Sequence, residues 1–175
     1  MDVKIELSTR DAVMAVWDRV VLVVWRGNTT VALARRAEQV FHAHSGRDQA
    51  LLLTIVEATA PLPRLEARAE LAGALRRGNG HVERSALVFE GEGFRAASVR
   101  AVVAGVSLFS RPDYPHRVFG NVRSAAVFLA GGKAGIPAPD RIVRMVLTAR
   151  REPGTQTLLP RVANAPPPVD SVRPQ

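Results

Sequence analysis

Gly91-Glu92-Gly93-Phe94-Arg95-Ala96 holds the most chemical promise in this sequence, because it satisfies G-x-G-x-x-A between an expected strand and an expected helix. In a dinucleotide site such glycines let the backbone approach a pyrophosphate at a helix N-terminus. Glu90 and Glu92 put negative charge where that phosphate would lie, and the motif follows a late strand rather than the first of a βαβ unit. About 20 residues onward, where a ribose-binding acid belongs, the chain is in the loop around Asp113. The glycines read as a tight strand-to-helix turn, and no cofactor is expected.

The other motifs fail on similar grounds. Ala130-Gly131-Gly132-Lys133-Ala134-Gly135 invites a P-loop reading, but Val127 and Ala134 stand where that pattern needs glycine and a hydroxyl. Ser107 lies between Gly105 and Phe109, so the G-x-S-x-G elbow of serine hydrolases is broken. His42 and His44 are two apart and share no helical face, and neither they nor His81 and His116 come with a convergent ligand set. Glu66 and Glu70 share a face, yet Arg68 beside them makes a solvated surface the better reading than an acid–base pair. With no cysteine in the chain, disulfides, thiolate metal sites and thiol nucleophiles are excluded. We expect no catalytic residue, no metal and no enzyme.

The elements that would carry any site follow from hydrophobic periodicity. Val3–Leu7 alternates like a half-buried strand; Val13–Trp17 and Val20–Trp25 flank Asp18-Arg19 as a hairpin, the second strand apolar enough to be central. Ala32, Leu33, Ala37, Val40 and Phe41 keep helical spacing up to Ser45-Gly46, and Ala50–Val56 is a buried strand ending at Glu57. A second helix follows the Ala58–Pro63 loop and ends at Gly78-Asn79-Gly80. Ser85–Phe89 is a strand, Phe94–Phe109 a helix, Arg117–Phe119 a short strand, and Ser124–Leu129 lies in a closing helix. Strands alternating with helices predict an α/β domain with a mixed central sheet and packed helices over residues 1–132. Residues 133–152 should form a linker and a basic amphipathic helix, with Ile142, Met145, Val146 and Ala149 on one face. The tail, 153–175, holds six prolines in 23 residues and should be disordered.

Net charge is +8 over 175 residues, from 24 basic and 16 acidic side chains. All the cations but Lys4 and Lys133 are arginine, which reads as coding bias rather than a nucleic-acid surface. Aromatics make up only 5%, without the basic stripe that nucleic-acid binding calls for. No secretory signal or membrane-length apolar run is apparent, so a cytoplasmic protein is expected. Arg141, Arg144 and Arg151 form the exposed side of the last helix. They could touch an acidic partner or a membrane surface, but a solvated face is favoured.

The order of elements, with Val20–Gly27, Leu51–Glu57, Val88–Ala97, Arg117–Phe119 and Ala125–Leu129, resembles the STAS or anti-sigma-factor-antagonist-like (SpoIIAA-like) domains of bacteria. The resemblance implies a non-catalytic regulatory or scaffolding module that binds a protein partner, commonly switched by phosphorylation after the middle strand. That position falls in Glu57–Pro61, where the family's serine motif is absent and Thr59 is the one hydroxyl. Relatives of the fold also bind lipids or small molecules, which is the alternative. The expected partner surface comprises Thr59, Pro61, Phe94, Val99, Val102, Val103 and Val106. The valine side of the Phe94–Phe109 helix is expected to face outward, toward a second copy, with Ala97, Ala101 and Gly105 packed inward. An apolar patch there would favour a protein partner; an enclosed apolar pocket with few polar groups would favour a ligand.

Overall fold

The computed structural model describes residues 2–45, 49–91, 97–99, 101–102, 105–106, 112–131 and 135–154. Its centre is a six-stranded mixed sheet in which spatial order equals chain order. Strands β1 (Lys4–Ser8), β2 (Ala12–Trp17) and β3 (Val20–Trp25) form an antiparallel meander. The hairpin turn places Asp18 at φ 51°, a left-handed conformation that aspartate tolerates better than most residues. From β3 onward, β4 (Ala50–Val56), β5 (Val82–Phe89) and β6 (His116–Phe119) pair in parallel.

Each parallel step crosses over through a helical connection: α1 (Val31–Ser45), α2 (Leu65–Arg77), and then the helical residues at 97–99, 101–102 and 105–106. On the opposite face lie α3 (Val122–Ala130), capped by Asn121 accepting from the Ser124 amide at 2.8 Å, and α4 (Pro139–Arg151), with Pro139 in its first turn. The fold is therefore α/β with helices on both faces, as expected from the alternation of elements. Because strand order never reverses, the sheet has none of the crevice that opens at the carboxyl ends of strands where crossovers diverge.

The two faces pack unequally. On the α3–α4 side, Val20, Leu22, Leu51, Leu53, Ile55, Ala86 and Val88 meet Leu129, Ile142, Met145 and Val146 in one cluster, with every one of these side chains at 3% exposure or less. The other cluster, under α1, contains Met14, Val21, Val23, Trp25, Val40 and Phe41. Two expectations are corrected here. The folded unit does not end near residue 132, because α4 supplies four fully buried side chains to the main core. Strand β5 starts at Val82 rather than Ser85, since Glu83, which hides the strand pattern, is neutralised by Arg19 at 2.7 Å. The expected tail disorder falls on residues of which 155–175 lie outside the described set.

Candidate functional site

Parallel register sets the geometry of the site. Val21, Leu52, Ser85 and His116 are paired in one row across β3, β4, β5 and β6; Val23, Thr54 and Leu87 form the next. Side chains in such rows share a face of the sheet. These rows face the α1–α2 side, whereas the alternate residues Leu51, Leu53, Ile55, Ala86 and Val88 face the other side at 0% exposure. Central parallel strands are normally covered on both faces. Here Leu52, Thr54, Val56 and Leu87 are only half-buried. The helical layer stands off the sheet above them, and the gap is a cavity of about 150 Å³, partly open to solvent.

The roof of the cavity comes from α1, α2, the 60–63 loop and helical residues Val99, Val102 and Val106. Its walls are mainly aliphatic, and none of the described residues lining it is lysine or arginine. The polar groups at its margin are mostly engaged. Tyr114 donates from Oη to the Leu75 carbonyl at 3.1 Å, and its burial, with Asp113 adjacent, raises the phenol pKa. The Arg77 guanidinium grips Glu38 in a two-pronged contact, with Nη2 to Oε2 at 2.8 Å, and this bonding holds the Glu38 carboxyl below its ordinary range. Arg77 also reaches Glu70, so α1 and α2 are tied together beside the cavity. His42 sits 3.6 Å from Glu38 and meets His81 edge-on.

His116 differs from these groups. Its Nδ1 lies 3.1 Å from the Ser85 hydroxyl, Ser85 itself being 1% exposed, while Nε2 is buried and has no hydrogen-bond partner among the described residues. Burial lowers its pKa from the usual 6.5, which keeps the ring neutral near pH 7.

The expected surface residues divide. Pro61 is exposed at the rim of the cavity, and Thr59 is exposed on the same loop without lining it. Val99 is 3% exposed against Phe89, and Val102 and Val106 line the cavity, while Ala97 and Ala101 are exposed. The expected orientation is thus reversed: the valines look inward because only they can cover the apolar strand residues beneath. Phe94 and Val103 lie outside the described residues, as do Glu92–Ala96 of the glycine motif. Arg141, Arg144 and Arg151 are exposed, and the apolar face of α4 is docked. Sequence reasoning set His116 aside with the other histidines and did not single out Ser85. Their signal was a serine inside an apolar strand and a histidine opening the last one, which acquires meaning only once β5 and β6 are paired.

At the carboxyl ends of β4 and β5, Glu57 and Glu90 both bind Arg150, at 2.8 and 2.7 Å, so this pair of acids is occupied by a structural ion pair. No cluster of metal-ligating side chains occurs among the described residues, and no helix among them is long and apolar enough to cross a membrane.

No protein-family model and no curated protein matches the chain. Among solved structures it is similar to an uncharacterized DUF3478-family protein from Shewanella loihica PV-4, described as having a SpoIIAA-like fold. The TM-score is 0.43 at 16% identity, covering 73% of this chain and 92% of that one.

Proposed function

We propose that the chain is a non-catalytic binding module whose site is the apolar cavity over β4 and β5. One observation carries this reading: the helical layer leaves Leu52, Thr54, Val56 and Leu87 half-buried at the centre of the sheet, around a cavity of about 150 Å³. A well-packed domain would close such a gap, since each buried aliphatic side chain stabilises the fold by about 1.5–3 kcal/mol. A cavity of this order, walled by aliphatic and aromatic side chains, is large enough for benzene.

The test uses benzene as the probe and the full chain. Benzene should raise the melting temperature, and at about 100 times its dissociation constant it should add about 2.7 kcal/mol of stability. Leu87→Phe should fill the space, stabilise the unliganded chain by about 1 kcal/mol and remove the response to benzene. No response in the parent, with Leu87→Phe destabilising, would mean that the cavity is closed and packed.

A second reading is a protein partner, most simply a second copy. It is favoured by Leu65, 77% exposed, and Leu62, 41% exposed, at the entrance to α2. Leu65 borders an open groove between α2 and helical residues that include Ala101 and Gly105, small enough for close approach.

A further inference from the structure

We propose that the cavity selects a compact apolar molecule bearing an acceptor oxygen, most simply a cyclic ketone, and that Thr54 Oγ1 donates the hydrogen bond that fixes it. The proposal rests on reading the cavity as a binding site and names what that site recognises.

Parallel register places Thr54 at the centre of the cavity floor. Val23 on β3 and Leu87 on β5 are its cross-strand neighbours, and Leu52 and Val56 stand two residues away on the same face of β4. All five line the cavity. A valine would have the same shape at this position and the same preference for a strand. What threonine adds is a hydroxyl set among aliphatic side chains.

That hydroxyl can meet an occupant. Thr54 is half-buried and borders the cavity, and its side chain has no hydrogen-bond partner among the described residues. Its backbone is committed to the ladders with β3 and β5, and Ser85, diagonal to it on β5, is turned to His116 at 3.1 Å. His116 Nε2, by contrast, is too deeply buried to take part.

A hydroxyl facing an apolar space has one proton to give, and an unmade donor bond there is costly. An acceptor oxygen on the ligand completes the bond. A ketone carries such an oxygen and brings no proton that would itself need an acceptor. About 150 Å³ accommodates one ring. With the oxygen at Thr54, the ring lies against Leu52, Val56 and Leu87, the strand residues that the helices leave half-buried.

Calorimetric titration of the full chain with cyclohexanone and benzene, in the parent and in Thr54→Val, provides the test. Both probes should bind the parent. Thr54→Val should weaken cyclohexanone about tenfold and leave benzene within about twofold, since it removes the donor and keeps the shape. In the parent, the carbonyl stretch of bound cyclohexanone should lie below its frequency in an alkane, a readout that does not depend on the variant folding. In Thr54→Val the band should return toward the alkane value. Benzene binding would leave the cavity reading standing, while cyclohexanone that fails to bind, ignores Thr54→Val or shows an unshifted carbonyl band would overturn the Thr54 assignment. Failure of both probes would remove both readings.

Discussion

His116 and Glu38 are two titratable groups whose surroundings favour opposite charge states, and both lie beside the same cavity. The imidazole is held neutral by burial, and the carboxylate is held ionised by Arg77. Both pKa values fall below their unfolded values of 6.5 and 4.5, so in each case the unfolded chain takes up its proton first as pH drops. Stability should therefore be full above about pH 6.5 and decline in two stages below it, first through His116 and then, under about pH 4.5, through Glu38. Urea unfolding across this range provides the measurement. His116→Leu should flatten the upper stage and Glu38→Gln the lower one. An unchanged profile in both variants would show that other groups govern the acid limb.

Among the elements, α4 illustrates how a segment that looks like an appendage becomes part of the core. Its apolar face buries Ile142, Met145, Val146 and Ala149 completely, and Arg26 holds its far end. The Arg26 guanidinium donates to the carbonyls of Ala149, Arg150 and Glu152 at 2.7, 2.9 and 2.8 Å, satisfying acceptors that the last helical turn leaves open. Positive charge at a helix C-terminus is also favoured by the helix dipole. Ser8 adds a hydrogen bond from Oγ to the Pro153 carbonyl at 2.7 Å, so the segment is fastened beyond the helix as well. Arg26→Ala should cost about 2 kcal/mol in chemical denaturation and increase amide exchange in the last turn of α4 before elsewhere. Exchange that rises uniformly would place the effect in β3 instead.

For the whole molecule, the asymmetry between faces is the main feature. One side of the sheet is closed by α3 and α4 over a fully buried centre, and the other is bridged by helices that leave a cavity, with exposed Leu62 at its rim and exposed Leu65 on the neighbouring groove. If a second copy covers this leucine surface, sedimentation equilibrium should find a dimer, and Leu65→Glu should give a folded monomer that still binds benzene. A parent that stays monomeric at high concentration would assign Leu62 and Leu65 to the solvated surface. Retained benzene binding is the decisive arm, since it separates the interface from the cavity.

Strand and helix identity followed from local pattern. β3 is apolar throughout because it is buried on both faces, and Ala50–Val56 and Ala125–Leu129 carry enough apolar residues to be recognised alone. The same holds for the exclusions, since motifs such as Gly131-Gly132-Lys133 depend on spacings that can be read directly. Helix orientation was decided by tertiary contacts: both the small-residue and the valine sides of the segment at 97–106 are apolar, and only the uncovered strand row beneath it selects the valines. The pairing of Ser85 with His116 depends on parallel register between strands 31 residues apart. The cavity depends on how far two helices stand from a sheet, a distance set by the packing of many side chains together and carried by no single stretch of sequence.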